Sequence, residues 1–570
     1  MPEPDSSKPT GGKQRQGEMP MERRLLLAFL LMGLVLFLTP YFFRTTPPAP
    51  APQPQKPPAA SQPAQKKTEA VPAPAVAPRP GQVAASREET FIVETDLLRV
   101  TLANRGATLR SWILKKYKDG TGKPLELVNT AGAAKTGYPL SVYFKNGKPG
   151  TDLNQALYAP APQAEGLAID YELSDGRVFA RKSFRFRKDS YIVEVSSVVT
   201  DQGRPVAHLL AWRGGFGDRT VANHAASQRS VYYDLSANKL VENEAKAAKD
   251  GPVSASGAYS FAGIMDAYFA AVFLPADGAT TELRTFSDPV PEATGGAEAP
   301  HVGAGVSGGD QNRFALFVGP KDLDLLRRVN PKLEQIVDFG WFGFIAKPLF
   351  LALNWVNDRY VHSYGWSIVL ITVIINFLLL PLKITSLKSM KKMSALQPQI
   401  AAINAKYKSV GLRDPRKAEQ NQEVMELYKK HGVNPMGGCV PMLLQIPFFI
   451  AFYKVLTVAI ELRGASWLWV TDLSQPETLP IRILPVTMIG TQFILQKMTP
   501  STTADPAQQR IMLLMPLILG FMFYGVSSGL VLYWLTGNLV GIAQQWFFNR
   551  IALAPSVPPA PVKRAKGPRK

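Results

Sequence analysis

The chain has few of the residues that carry covalent or metal chemistry. Among 570 residues there are one cysteine and five histidines. The single cysteine, Cys439, excludes an internal disulfide bond and any cysteine-rich metal site. Three histidines, His208, His224 and His301, lack the spacing of metal ligands. The sequence also lacks a phosphate-binding GxxxxGKS or GxxxxGKT loop, so it implies no nucleotide hydrolysis. We therefore expect no catalytic residue, no metal and no cofactor.

Acidic residues are scarce relative to basic ones. The chain has 64 Lys and Arg against 44 Asp and Glu, a formal net charge of +20. Basic loops beside membrane spans are the ordinary cause of such an excess. The alternative is an acidic partner such as RNA or anionic lipid. The loop charges described below favour membrane flanks as the main cause.

The apolar segments between residues 437 and 550 are interrupted by a few uncharged polar side chains. Polar residues within a bilayer normally face a bundle interior or a water-filled cavity. The pattern predicts a helical bundle with a wet interior, in which something polar is moved or held. The interrupting residues are Gln445, Gln492, Gln496, Asn538, Gln544 and Gln545.

Six apolar segments are predicted to span a membrane. Residues 25–43 are long enough to cross a bilayer and follow Arg23 and Arg24. We interpret this first segment as an uncleaved signal anchor, and the alternative is a cleaved signal peptide. The other predicted spans are residues 363–382, 436–456, 483–498, 511–524 and 528–548.

The charges of the connecting loops predict the orientation. The N-terminal residues 1–24, the loop between the second and third spans, and the tail at 551–570 are rich in Lys and Arg. The loop after the third span has no basic excess. Because basic loops stay in the cytoplasm, both chain ends are predicted to be cytoplasmic. The predicted fold class is a multi-pass α-helical membrane protein with six spans, of which five form a core at 363–550.

Three segments between the first span and the core differ in composition. Residues 44–87 are rich in Pro, Ala and Gln and predict a disordered linker. Residues 88–330 alternate short apolar strands with turn residues, which predicts an all-β sandwich domain outside the cytoplasm. Residues 331–362 combine Trp and Phe with charges and predict an interfacial amphipathic helix.

The loop at 384–434 is itself predicted to be a helical hairpin. Met393, Leu396 and Ile400 recur at helical spacing, and Pro415 is placed to open a second helix. Such a hairpin is either a spacer or a docking arm. Its apolar stripe and surplus of lysines favour a docking arm.

Several ordered motifs resemble those of the YidC-type membrane protein insertases. NPMGGCVPMLLQIP at 434–447 resembles the third-span signature, and PSTTADPAQQRIM at 500–512 resembles the segment before the fifth span. SGLVLYW at 528–534, followed by Asn538, resembles the sixth span. DFGWF at 338–342 and GWSI at 365–368 resemble the interfacial helix and the start of the second span. The large β-rich region resembles the Gram-negative form, whose domain is periplasmic and whose core lies in the inner membrane.

The resemblance implies a membrane protein insertase and chaperone that acts through a hydrated groove, alone or with the Sec translocon. Other implied partners are nascent membrane proteins, the ribosome and the lipid bilayer, and the chain is expected to act as a monomer. The implied groove residues are Thr372, Asn376, Gln445, Tyr533, Trp534 and Asn538. The implied substrate-sliding surface is Ile446, Pro447, Phe448, Phe449, Met515, Pro516 and Phe521. The candidate docking residues for the ribosome are Lys388, Lys391, Lys392, Lys563, Arg564, Lys566, Arg569 and Lys570.

One position departs from the family pattern. Bacterial members usually carry an arginine in the second span, where this chain has Asn376. The groove is therefore expected to have lost its fixed positive charge, and attraction of acidic substrate segments by that arginine is in doubt. Lys454 is expected to extend to the headgroups rather than to replace it.

The rival hypothesis is a solute transporter with an external β-sandwich receptor domain. Transporters usually show internal repeats and broken or charged helices near the bilayer midplane. The sequence shows neither feature. The insertase is therefore the favoured hypothesis.

Overall fold

The structure is a computed structural model that describes residues 81–550, apart from 146, 222–223, 277–278, 292–297, 408–413, 434–439 and 501–505. The predicted first span, the linker up to residue 80, Cys439 and the basic tail with its five candidate docking residues lie outside the described residues.

An N-terminal β region, residues 82–320, comes first in the described chain. Apolar and polar residues alternate along many strands; in β10, for example, Val193, Val195 and Val199 are buried while Glu194 is exposed. Such alternation places one face of a strand in a core. The strands are β1 Gln82–Val83, β2 Thr90–Glu94, β3 Leu98–Ala103, β4 Thr108–Lys118, β5 Pro124–Glu126, β6 Ser141–Tyr143, β7 Ala159–Pro162, β8 Ala168–Asp175, β9 Val178–Arg185, β10 Ile192–Asp201, β11 Arg204–Pro205, β12 Leu209–Trp212, β13 Arg229–Asp234, β14 Lys239–Asn243, β15 Val253–Met265, β16 Phe269–Leu274, β17 Thr280–Pro291, β18 Glu298–Ser307 and β19 Gln311–Pro320.

The strands form one large and one small antiparallel sheet. The large sheet has the order β1-β8-β9-β10-β19-β16-β15-β17-β18-β12-β6, with β7, β11, β13 and β14 paired at its sides. The small sheet has the order β2-β3-β4-β5. Strand β15 belongs to both halves of the large sheet, because residues 253–258 pair with β17 and residues 262–265 pair with β16.

A buried lysine joins the two sheets. Lys182 of β9 is fully enclosed, and its Nζ donates to the carbonyl oxygens of Gly106, Ala107 and Leu140 at 2.7, 3.2 and 2.7 Å. Gly106 and Ala107 form the turn between β3 and β4 of the small sheet. Burial lowers the pKa of Lys182 to about 7. The three carbonyls meet the hydrogen-bonding needs of an amino group that water does not reach.

Helices dominate the described chain after Leu323. Short helices also occur within the β region. The helices are α1 Thr130–Thr136, α2 His224–Ser227, α3 Leu323–Val329, α4 Gly343–Val356, α5 Tyr364–Leu378, α6 Leu380–Lys406, α7 Arg416–Lys430, α8 Val440–Val458, α9 Ile483–Met498, α10 Pro506–Phe523 and α11 Ser528–Arg550; 3₁₀ turns lie at Ala164–Gly166, Ala245–Ala248, Leu333–Ile336 and Ile460–Leu462, and a π turn lies at Asn357–Val361.

Helices occupy most of the described residues of the predicted second to sixth spans. By length and apolarity, no single described helix is sufficient to cross a bilayer. Gly343–Val361 and Tyr364–Leu378 meet that criterion only when taken together, and they are bent by 116° at the break between them.

Helices α4 and α7 lie within segments predicted outside the spans, whereas α6 begins inside the predicted second span and continues beyond it. Helix α4 carries exposed aromatic side chains, including Phe344 and Trp355, as expected for an interfacial helix. Helices α6 and α7 pack through the buried residues Met393, Leu396 and Tyr428. Helix α7 begins directly after Pro415, where the sequence predicts it to begin.

Candidate functional site: a polar line within the helical region

Two predicted groove residues lie one turn apart on α5. Thr372 and Asn376 are both buried. The Thr372 hydroxyl donates to the Ile368 carbonyl at 2.6 Å, and the Asn376 amide Nδ2 donates to the Thr372 carbonyl at 2.8 Å. These bonds to their own helix use the Thr372 hydroxyl donor and one N–H of the Asn376 amide. The Asn376 Oδ1 atom is left as an acceptor for another element.

Lys383 of α6 provides that donor. Its Nζ lies 2.6 Å from Asn376 Oδ1 and 3.4 Å from Gln544 Oε1 of α11. The Gln544 Nε2 atom donates to the Asn376 carbonyl at 3.4 Å. Thr372, Asn376, Lys383 and Gln544 therefore form a continuous line of polar side chains, which we call the polar line.

Lys383 follows the predicted second span, and the loop-charge rule counts it with the basic loop between the second and third spans rather than with the groove. The expectation that this site has lost its positive charge is wrong, because an amino group lies against Asn376. The signal was present in the sequence as a spacing. Residues seven apart lie on the same face of a helix, two turns from each other, and the α5 helix continues almost directly into α6.

Three other predicted groove residues lie on α11 and join it to its neighbours. The Asn538 Nδ2 atom lies 3.3 Å from both the Met488 carbonyl and the Thr491 hydroxyl of α9. The Tyr533 ring stacks on Phe452 of α8 with centroids 4.4 Å apart. The remaining residue, Trp534, donates from Nε1 to Gln492 Oε1 of α9 at 3.3 Å. These contacts place the three residues toward α8 and α9, whereas Gln544 turns toward α5.

The sixth predicted groove residue, Gln445 of α8, is exposed. The structure therefore brings Thr372 and Asn376 together with Lys383 and Gln544, and it does not place Gln445 in contact with them.

The residues of the predicted sliding surface differ in exposure. Phe521 of α10 is 87% exposed and Met515 is 45% exposed, while Pro516 is buried. On α8, Ile446, Pro447, Phe448 and Phe449 are half-buried, and the Phe449 ring meets Trp534 edge-on at 5.2 Å. Among the described residues, the exposed apolar surface is thus more extensive on α10 than on this part of α8.

The basic candidate docking residues of the hairpin also differ among themselves. Lys388 and Lys392 are exposed. Lys391 is half-buried, and its Nζ donates to the Phe548 carbonyl near the end of α11 at 2.9 Å. Lys454 extends to Asp338, with Nζ 3.3 Å from Oδ2, rather than toward the polar line. Within the described ranges, no cluster of three His, Cys, Asp or Glu residues could hold a metal ion.

Two family profiles match most of the chain. The profile described as YidC periplasmic domain matches residues 90–352, and the one described as 60Kd inner membrane protein matches residues 355–554. The chain is thus an inner-membrane protein with a large periplasmic β-sheet domain followed by a helical membrane region. This agrees with the coarse organisation predicted from the sequence.

Relatives matched over nearly their full length are membrane protein insertases of the same family. A membrane protein insertase YidC of Geotalea daltonii is 34% identical over 548 residues, which cover 93% of this chain and 99% of the relative. One of Cupriavidus necator is 33% identical, with 94% and 98% covered. The crystal structure described as "Active YidC insertase" with its first transmembrane domain resolved is 19% identical, covers 92% of this chain and all of its own, and has a TM-score of 0.36. The sequence matches decide against the transporter hypothesis, and the chain belongs to the YidC family of membrane protein insertases, which are not enzymes.

Proposed function

We propose that the polar line carries the hydrophilic flank of a substrate into the membrane while the substrate's apolar segment enters the lipid. The observation that supports this most directly is the contact of Lys383 Nζ with Asn376 Oδ1 and Gln544 Oε1. Burying a polar side chain costs free energy unless it is hydrogen-bonded, and burying a charge costs more. A half-buried ammonium beside two amides is therefore suited to a hydrated path for polar groups.

The physical task of an insertase defines what this path must provide. Each backbone or side-chain amide left without a partner in hydrocarbon costs several kcal/mol. Side-chain amides, a hydroxyl and the water that they hold replace those lost partners along the polar line. Partitioning of about 20 apolar residues of the substrate drives the step without nucleotide hydrolysis.

Lys383 adds a preference for the charge of the substrate. An ammonium in a partly buried site attracts carboxylates more strongly than one in bulk water, because the local dielectric is lower. We propose that acidic flanks are the favoured cargo, with Lys383 supplying the charge that Asn376 lacks. The predicted members Gln445, Tyr533, Trp534 and Asn538 would then line or brace the same groove from α8 and α11.

The apolar part of the substrate is proposed to move along the surface predicted on α8 and α10. The exposure of Phe521 and Met515 supports this on α10. Methionine is unbranched and polarizable, so it adapts to apolar partners of different shape. Phe448 and Phe449 of α8 would border the path, which agrees with their partial exposure.

The finer organisation is proposed from loop charge and periodicity. Six spans with both ends in the cytoplasm place the α6–α7 hairpin in the cytoplasm and a β sandwich in the periplasm. The exposed Lys388 and Lys392 and the basic tail are suited to ribosomal RNA by charge. The Sec translocon and the lipid bilayer are the further proposed partners, and the chain is proposed to act as a monomer.

The polar line is tested by substitution of Asn376. Asn376→Leu should lower insertion of a single-span substrate by purified protein in liposomes, measured by protease protection, because it removes an acceptor of Lys383. Asn376→Gln should be tolerated, because it keeps an amide oxygen that can accept from Lys383. Asn549→Leu is the matched control, since Asn549 is an exposed asparagine near the end of α11. Unchanged insertion by Asn376→Leu would remove this position from the path.

A further inference from the structure

The segment that joins α8 to α9, residues 459–482, covers one end of the helical bundle. Its Trp467 packs so closely on Gly365, near the start of α5, that a Cβ at Gly365 would lie 2.2 Å from the Trp467 ring. The carbonyls of Gln475 and Leu473 accept from the backbone N–H groups of Ser528 and Gly529, both at 2.8 Å. The segment therefore covers the first turns of α5 and α11.

The covered end is the one opposite Lys383. Asn376 lies 12 residues beyond the start of α5 at Tyr364, which is about 18 Å along the helix. Gln544 lies 16 residues beyond the start of α11 at Ser528. Because both helices run away from the α8–α9 segment, that segment lies at the far end of the polar line.

Arg463 of the same segment reaches into the β domain. The Arg463 Nη2 atom donates to the Lys118 carbonyl at 2.8 Å and forms an ion pair with Asp218. The side chains of Arg463 and Asp218 are 6% and 2% exposed. The guanidinium also lies 5.6 and 5.5 Å from the ring centroids of Tyr268 and Phe269. Arg463 is thus enclosed by the β domain, although it belongs to the helical region.

The β domain holds its side of the pair in a fixed position. The Asp218 Oδ1 atom accepts from the backbone N–H and the hydroxyl of Thr220, at 2.8 and 2.6 Å. The Thr220 hydroxyl in turn accepts from the Gly120 N–H at 2.7 Å. These bonds occupy one carboxylate oxygen and leave Oδ2 directed at Arg463. A carboxylate held in this way is a rigid partner for the arginine.

We infer that the Arg463–Asp218 pair is a positioning device by which the β domain keeps the α8–α9 segment closed over the periplasmic end of the groove. The inference rests on the proposed function only in taking the polar line as the groove. A hydrated groove that opens on one side must be closed on the other if the membrane is to remain sealed. The β domain would supply part of that closure through a contact between residues 245 positions apart.

The Arg463–Asp218 pair differs from the ion pairs on the surface of the β domain because both of its side chains are buried. Removing one partner of a buried ion pair leaves the other charge uncompensated, whereas removing an exposed pair has little effect. Arg177 and Asp201 form such an exposed pair, with side chains 63% and 25% exposed. Arg177→Met is therefore a matched control for Arg463→Met.

Ser528 is a suitable reporter of closure. It is 2% exposed, its N–H is bonded to Gln475, and its Oγ has no hydrogen-bond partner among the residues that the structure describes. Ser528→Cys in a Cys439→Ser background gives a chain with one cysteine beneath the segment. A thiol replaces this hydroxyl without the loss of a described bond.

The experiment measures how fast a membrane-impermeant maleimide, added from the periplasmic side of sealed vesicles, labels Ser528→Cys in the full-length protein. Arg463→Met should raise the labelling rate about tenfold or more, because the segment loses its buried charge pair. Arg177→Met should leave the rate unchanged. Equal rates for Arg463→Met and the parent would overturn the inference.

A second variant guards against a folding defect. Asp218→Asn preserves the shape of its side chain and should raise labelling in the same direction as Arg463→Met, with the β domain still resistant to trypsin. Slow labelling in this folded variant would also overturn the inference. Insertion is not part of this readout, so a failure of the proposed groove would appear with Asn376→Leu and would leave the labelling result unaffected.

Discussion

Replacing Lys383 by methionine tests the proposed charge preference of the polar line most directly. Methionine keeps a long apolar side chain but removes the ammonium that lies 2.6 Å from Asn376 Oδ1. A carboxylate about 4 Å from that ammonium gains about 4 kcal/mol at an effective dielectric constant of 20. Desolvation of both charges offsets much of this gain. We therefore expect a net loss of about 1.4 kcal/mol, which is a tenfold change in rate.

The assay compares two single-span substrates that differ only in their translocated flank, one with two glutamates and one with two glutamines. Lys383→Met should lower the insertion rate of the glutamate substrate about tenfold and that of the glutamine substrate by less than about twofold. The assay uses purified protein in liposomes without ribosomes, so the proposed docking role of Lys388 does not affect it. Lys388→Met is then the control, because Lys388 is exposed on the same helix and no described contact joins it to the polar line. Adding Asn376→Arg to Lys383→Met should restore the glutamate substrate.

Two results would refute this reasoning. If Lys383→Met slowed both substrates equally, the lysine would act by holding Asn376 and Gln544 in place rather than by its charge. If Lys383→Met and Lys388→Met gave equal rates with the glutamate substrate, the polar line would have no charge preference.

Three further predictions concern stability and are measured by thermal unfolding of the purified protein. Burial, and then nearby aspartates, raise the pKa of Glu461 to about 7. The folded state therefore favours the protonated side chain, and this contribution to the free energy of unfolding is complete below the unfolded pKa near 4.5 and is lost as pH rises through 7. Glu461→Gln should therefore raise stability at pH 8 by about 3 kcal/mol or less and leave it unchanged at pH 4, and equal shifts at both pH values would contradict this. Lys182→Met should cost about 2–4 kcal/mol because three buried carbonyls lose their donor, and a neutral result would show that they find other partners. Gly365→Ala should cost about 1–3 kcal/mol because of Trp467, whereas Gly537→Ala, where a Cβ meets nothing within 4 Å, should not destabilise.

Local periodicity carried much of the information on the helices. The predicted fourth span at residues 483–498 has the same bounds as α9, and the predicted sixth span begins where α11 begins, at Ser528. Pro415 marked the start of α7 for a local reason, since its fixed φ suits the first turn of a helix. These features depend on residues within a few turns of one another, and a single sequence contains that information.

Long-range pairing could not be predicted in the same way. Nothing near Arg463 in the sequence indicates that its partner is Asp218, and nothing near Asn538 indicates that it meets α9 while Gln544 meets α5. Strand β15 is likewise one continuous run of residues in the sequence, and nothing in that run indicates that its two halves pair with different strands. Such contacts depend on how whole elements pack, which hydrophobic period and charge alone do not specify.

Lys383 lies between these two cases and indicates how the candidate site could have been found. The loop-charge rule counts a lysine beyond the apolar stretch as a cytoplasmic flank, and it takes no account of helical phase. Phase alone places Lys383 on the face of Asn376, two turns away, because the helix continues past Leu379. A long lysine side chain can then reach back along the helix, since side chains lean toward the N-terminus.

A substitution at one candidate groove position therefore has to be judged together with the residues one and two turns away. In this chain an amino group from position 383 lies beside Asn376, so an uncharged residue at position 376 does not by itself leave this place in the fold without a cation.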